Sequence, residues 1–130
     1  MASCKAWLRK FSHAFRGLVV GMHGQSSFLV HLLVALAAVA LGLVVGLTSV
    51  EWAILTVTIG LVLAMELLNS GLEALARAVT DQENPWIKDA LDIAAGAVLL
   101  ASLVAVLVGI CLFLPHLVLL SRLLLSAMAA

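Results

Sequence analysis

The sequence predicts an all-α membrane protein: one amphipathic N-terminal surface helix, then three transmembrane helices, in a single domain. Three observations carry this. The 130 residues are 65% hydrophobic and 11% charged with a mean hydropathy of +1.24, apolar runs of membrane-crossing length recur three times, and basic residues collect on one side of those runs. Soluble domains are about half apolar and a quarter charged, so a water-soluble globule is excluded. Seven Lys plus Arg cancel seven Asp plus Glu. That balance leaves no cationic field to neutralise several phosphates, which excludes nucleic-acid partners. Cys4 and Cys111 suggest neither a disulfide framework nor a metal cluster.

Residues 5–24 place Trp7, Phe11, Phe15 and Leu18 at three- and four-residue steps, with Lys5, Arg9, Lys10, His13 and Arg16 between them. This pattern suits a helix lying on the cytoplasmic membrane surface. A basic stop that only orients the chain is the other reading, and both stay open here. A spanning helix needs about 20 mainly apolar residues, and residues 28–47 supply the first span with His31 as its one polar interruption, read as a hydrogen-bonded packing residue. The second span, 50–79, has Glu51 and Trp52 at its edge and continues as a helical pattern beyond the hydrocarbon. The third, 93–114, holds no Asp, Glu, Lys or Arg and is expected to end at Pro115, whose ring costs a helix one hydrogen bond. Residues 116–130 form an apolar tail with Arg122 as its one charge, too short for a comfortable span and expected as an interfacial helix on the outer side. Lys5, Arg9, Lys10, Arg16, Arg77 and Lys88 all fall on one side of this topology, and the turn around Thr48 and Ser49 has no basic residue. The positive-inside rule then puts the N-terminus in the cytoplasm. No short apolar core with a small-residue cleavage site precedes the first span, so no signal peptide is expected.

The informative segment is AMELLNSGLEALARAVTDQENP, where Glu66, Asn69 and Glu73 interrupt an apolar helix. At about 100° per residue their offsets of three and seven put all three within roughly a 60° arc. The stripe runs about two turns along the axis, and Ser70 flanks it. A carboxylate in a membrane helix costs roughly 2.5 kcal/mol or more and is by default a functional-site hypothesis. Each residue also has a structural reading: Asn69 as an interhelical clip, Glu73 as half of an i,i+4 pair with Arg77. Three aligned polar groups are harder to explain that way. Two carboxylates flanking an amide suit Mg²⁺, which takes one or two carboxylates plus substrate phosphates; a proton relay fits the same set. Asp89 and Asp92 form a second acidic cluster at the entrance to the third span, at the same boundary, and Gly96 one turn on is read as a packing residue. No GxxxxGK[ST] or GxGxxG loop occurs, so a bound nucleotide would not be held by the usual phosphate-cradling loops. HExxH, GxSxG and Cys-rich metal patterns are also absent from the sequence, which leaves hydrolase readings without support.

With these residues in view, the chain resembles the small integral-membrane prokaryotic diacylglycerol kinase family, which also contains undecaprenol kinases. The matching stretches are FSHAFRGL, SSFLVHLLVA, EWAILTVTIGLVLAMELLNSGLEALA and DIAAGAVLLASLVAVLVG. The family signature Glu-x-x-Asn-[Ser/Thr]-x-x-Glu stands here as Glu66, Asn69, Ser70 and Glu73, followed by Asp-x-x-x-Gly at Asp92 and Gly96.

The resemblance implies a homotrimer with active sites near the cytoplasmic face of the inner membrane. It also implies transfer of the γ-phosphoryl group of ATP to the hydroxyl of a membrane lipid alcohol, with Mg²⁺ as cofactor. Carried over by position, Glu66 is the general base, Glu73 holds Mg²⁺ at the ATP phosphates, Asn69 orients the base or a phosphate, Asp92 sits at the nucleotide site and Arg9 contacts a phosphate. Four positions depart from the family pattern. Gln25 stands where a metal-binding Glu is common, Arg77 where many members have Asp, Leu91 where a Lys precedes Asp92, and Gly71 where Ala is usual. Gln25 is a neutral oxygen ligand with less pull on Mg²⁺, whereas Arg77 brings a planar fork suited to phosphate or serves as a positive-inside anchor. Gln25 and Leu91 motivate a second reading, a homologue that binds lipid or nucleotide without useful turnover. A small proton-coupled transporter using Glu66 and Glu73 is a third. Lipid-dependent ATP consumption separates the kinase from both.

Overall fold

The computed structural model describes residues 2–22, 26–80 and 82–128, with side chains from residue 5 onward. Four helices follow in order: α1 (Ala2–Met22), α2 (Ser26–Val45), α3 (Ser49–Val79) and α4 (Pro85–Met128). No strand occurs among the described residues. The all-α fold class stands, and α2, α3 and α4 are each long and apolar enough to cross a membrane. At 1.5 Å per residue the 20 residues of α2 reach about 30 Å, matching the hydrocarbon core, whereas the 31 residues of α3 reach about 46 Å. The excess of α3 is what carries the acidic stripe toward the aqueous boundary.

The hairpin between α2 and α3 is built from local chemistry. Gly46 takes the left-handed conformation (φ 74) that ends α2, and the N–H groups of Gly46 and Leu47 both reach back to the Gly42 carbonyl at 3.1 and 3.2 Å. The first span therefore stops at Val45, before the expected residue 47, because Leu47 belongs to the turn. Thr48 then caps α3 reciprocally: its hydroxyl accepts from the Glu51 N–H at 3.4 Å, and its own N–H donates to Glu51 Oε2 at 2.8 Å.

Helix α3 is the hub, packed most extensively on α4 and also against α2 and α1. A core of Leu47, Leu55, Leu112 and Phe113 closes the hairpin end. Most other large apolar side chains, among them Val34, Leu43, Val57 and Leu107, are exposed. In water such a surface is intolerable; against lipid tails it is matched to its solvent. Gly42 marks a close approach at the hairpin, since a Cβ there would stand 2.9 Å from Leu47 Cδ1 and 3.1 Å from Trp52 Cη2. Gly42→Ala is therefore expected to destabilise the fold by about 1–3 kcal/mol, the usual cost of overpacking. A lowered thermal unfolding midpoint in detergent checks this, and an unchanged midpoint contradicts it.

At Pro115 the structure corrects an expectation. The helix does not end there: α4 runs 44 residues from Pro85 to Met128, about 66 Å of contour, and residues 116–128 belong to this same helix rather than to a separate interfacial one. Proline removes one ladder bond, to the Cys111 carbonyl, and membrane helices tolerate such a loss when neighbouring groups support the turn. His116 gives that support, with Nδ1 2.9 Å from the Leu112 carbonyl oxygen and Nε2 3.7 Å from Glu51 Oε1. At the other end α4 starts conventionally: the Asn84 side chain accepts from the N–H groups of Trp86 and Ile87 at 2.9 and 3.4 Å, and Pro85 takes the first helical position.

Candidate active site

Glu66 is the most deeply placed acid, 2% exposed on α3. Its Oε1 lies 3.0 Å from Nε2 of His31 on α2, within hydrogen-bonding reach. One turn on, Asn69 Nδ2 donates to Glu73 Oε1 at 2.9 Å, and Glu73 Oε2 stands 3.7 Å from Arg77 Nη1. The two carboxylates of the stripe thus have different environments. Glu66 is buried and faces an imidazole from a second helix, whereas Glu73 has a side chain 31% exposed and shares its surroundings with an amide and a guanidinium.

Ser70, also on this stretch, is 5% exposed, and its hydroxyl oxygen is buried without a hydrogen-bond partner among the described residues. Buried polar atoms are nearly always paired, so an orphan within the signature marks a place with unused bonding capacity. Ser70 and Arg77 line a groove of about 760 Å³ between α3 and the Gly17–Gly21 stretch of α1. Close packing of α1 here depends on Gly21, where a Cβ would stand 2.8 Å from Leu67 Cδ2. Helix α1 therefore lies at the acidic end of α3. A separate, mostly apolar cavity of about 390 Å³ lies between α2, α3 and α4, with His31 in its lining and Phe113 further along. Its hydroxyl-bearing residues are internally satisfied, Thr58 donating to the Ile54 carbonyl and Ser102 to that of Val98.

Of the residues singled out in the sequence, the structure joins Asn69, Glu73 and Arg77 in one chain of contacts and sets Glu66 on the same helix face. Arg9 on α1 and Asp92 on α4 are exposed, and neither has a hydrogen bond or ion pair to α3 among the described residues. Gln25 lies outside the described residues. His31, expected as a hydrogen-bonded packing residue, does bond across helices, and its partner is the signature acid Glu66, which the sequence did not name. A usable signal existed. His31 lies about 21 Å before the end of α2 and Glu66 about 26 Å after the start of α3, so a tight hairpin brings them to similar depth.

The donor set agrees with a hard divalent cation. Among the described residues no cluster of three His, Cys, Asp or Glu forms a self-sufficient metal site. Mg²⁺ needs none, because it takes one or two carboxylates and completes its shell with substrate phosphates and water. Glu73, a carboxylate whose side chain is 31% exposed, fits that demand.

Comparison with known proteins decides the family. The family described as prokaryotic diacylglycerol kinase matches residues 12–113. The chain belongs to this family. Undecaprenol kinase of Bacillus subtilis is 34% identical over 111 residues, covering 85% of this chain and 90% of that protein. Diacylglycerol kinase of Synechocystis sp. is 37% identical over 111 residues, covering 85% of this chain and 63% of that longer protein. The family match takes in all of α2 and α3 and the part of α4 up to Phe113. Residues 114–128, the continuation of α4 through Pro115, lie beyond it.

Proposed function

We propose that this family member is an ATP- and Mg²⁺-dependent kinase that phosphorylates a membrane lipid alcohol, diacylglycerol or undecaprenol, at the cytoplasmic face of the inner membrane. The observation that carries the reading is the pairing of a buried Glu66 with a more exposed Glu73 on one face of α3, in the family signature. Both named relatives are kinases of lipid alcohols. Phosphoryl transfer is mostly positioning and charge stabilisation, so no dedicated nucleotide fold is required.

In this reading the lipid hydroxyl gives its proton to the Glu66 carboxylate as its oxygen bonds to the γ-phosphorus. The bond from that phosphorus to the bridging oxygen breaks, and ADP leaves. Glu66 suits the lipid side because it is the deeper of the two, and the apolar cavity that reaches His31 suits a hydrocarbon chain. Glu73, with Gln25 as a neutral second ligand, would hold Mg²⁺, which when bound offsets phosphate charge. Asn69 keeps Glu73 oriented through its amide, while Arg77, Arg9 and Asp92 serve the nucleotide. The basic residues at the acidic end of α3 support a cytoplasmic location for this end and the N-terminus. Arg9 and Asp92, unattached to α3 within one chain, are brought to the site in a homotrimer whose neighbours cover the exposed apolar faces.

Purified protein in detergent, given γ-labelled ATP, Mg²⁺ and a panel of lipid alcohols, is expected to yield one labelled lipid phosphate on chromatography. ATP hydrolysis without labelled lipid, or no label with any alcohol, overturns the reading.

A further inference from the structure

We infer that His31 is a positioning residue for phosphoryl transfer: its imidazole on α2 holds Glu66 Oε1 and leaves the second carboxylate oxygen for the lipid hydroxyl. The inference rests on Glu66 being the base of the proposed kinase. Three observations support it. Nε2 of His31 is 3.0 Å from Glu66 Oε1, and the Glu66 side chain is 3% exposed while that of His31 is 23% exposed. No other described residue bonds this carboxylate. His31 also lines the apolar cavity between α2, α3 and α4, so the residue that holds the acid borders the space suited to the lipid chain.

The physical need is specific. A carboxylate taken out of water requires a donor, and an unbranched Glu side chain without one would be free to rotate among rotamers. A bond from a different helix fixes both the rotamer and the α2–α3 register at one point. Because Nε2 carries a hydrogen in the cationic form and in one neutral tautomer, the role does not depend on His31 being charged. Glu73 is held by Asn69 and Arg77 instead, both on its own helix. Neither of these contacts involves His31, so a change at His31 should act first on Glu66.

Steady-state kinetics of His31→Leu and His31→Gln test this, with lipid and ATP varied separately. His31→Leu removes the donor and is expected to lower kcat about 100-fold, the scale of a misplaced reacting group, with both KM values within about threefold of wild type. His31→Gln keeps an amide N–H of similar reach and is expected to recover kcat to within about fivefold of wild type. A His31→Leu enzyme with unchanged kcat, a loss confined to KM, or a His31→Gln enzyme as slow as His31→Leu overturns the inference. Should His31→Leu fail to fold, His31→Asn replaces it: its amide is one methylene shorter and cannot reach Glu66, so kcat should fall similarly, and full kcat there overturns the inference. A wild-type protein that labels no lipid contradicts the kinase reading itself; the ratios among active variants bear only on His31.

Discussion

Glu66→Gln is expected to lower kcat for lipid phosphorylation by about a thousandfold, within the range of 10²–10⁴ that a positioned general base supplies. The substitution keeps volume and shape, and the amide oxygen still accepts from a His31 Nε2–H, so the α2–α3 contact survives. What is lost is the ability to take a proton. Because a neutral amide is cheaper to bury than a carboxylate that is 2% exposed, stability should be unchanged or slightly raised. Initial rates with a saturating lipid alcohol, read beside the thermal unfolding midpoint, separate the two effects. A Glu66→Gln protein that keeps wild-type kcat removes Glu66 from the role of base.

Glu73→Gln is expected to act through the cation. Replacing the ionised ligand with a neutral one should raise the Mg²⁺ concentration needed for half-maximal rate by about tenfold or more, the order seen when metal sites lose supporting interactions. Part of the rate should return at saturating Mg²⁺. The companion ion pair to Arg77 is partly exposed, at 3.7 Å with side-chain exposures of 68% and 31%, so its loss should cost no more than about 1 kcal/mol of stability. Initial rates titrated against free Mg²⁺ check the prediction. An unchanged Mg²⁺ dependence takes Glu73 out of the metal site.

The three spans could be read from the sequence because an uninterrupted apolar run in hydrocarbon has little choice but to form a helix. The face shared by Glu66, Asn69 and Glu73 was equally legible, since periodicity within one helix needs no tertiary information. Two features were less so. Pro115 was read as a stop because Pro usually breaks helices, but His116 fastens the turn from the side through the Leu112 carbonyl and Glu51, a contact between helices distant in sequence. For His31 the expected hydrogen-bonded packing role stands, but its partner, Glu66, depends on which residue of α3 faces it, and one helix's periodicity cannot say that. Depth from the hairpin turn narrows the choice, and the close Gly42–Trp52 approach shows how tight that hairpin is.

The division of labour along α3 is the central claim, and Mn²⁺ binding tests it most directly. Electron paramagnetic resonance of Mn²⁺ added with a non-hydrolysable ATP analogue is expected to show bound Mn²⁺–nucleotide in the wild type, nearly the same occupancy in Glu66→Gln, and a loss in Glu73→Gln. The opposite pattern, with occupancy lost in Glu66→Gln and kept in Glu73→Gln, would contradict the assignment of base and metal ligand.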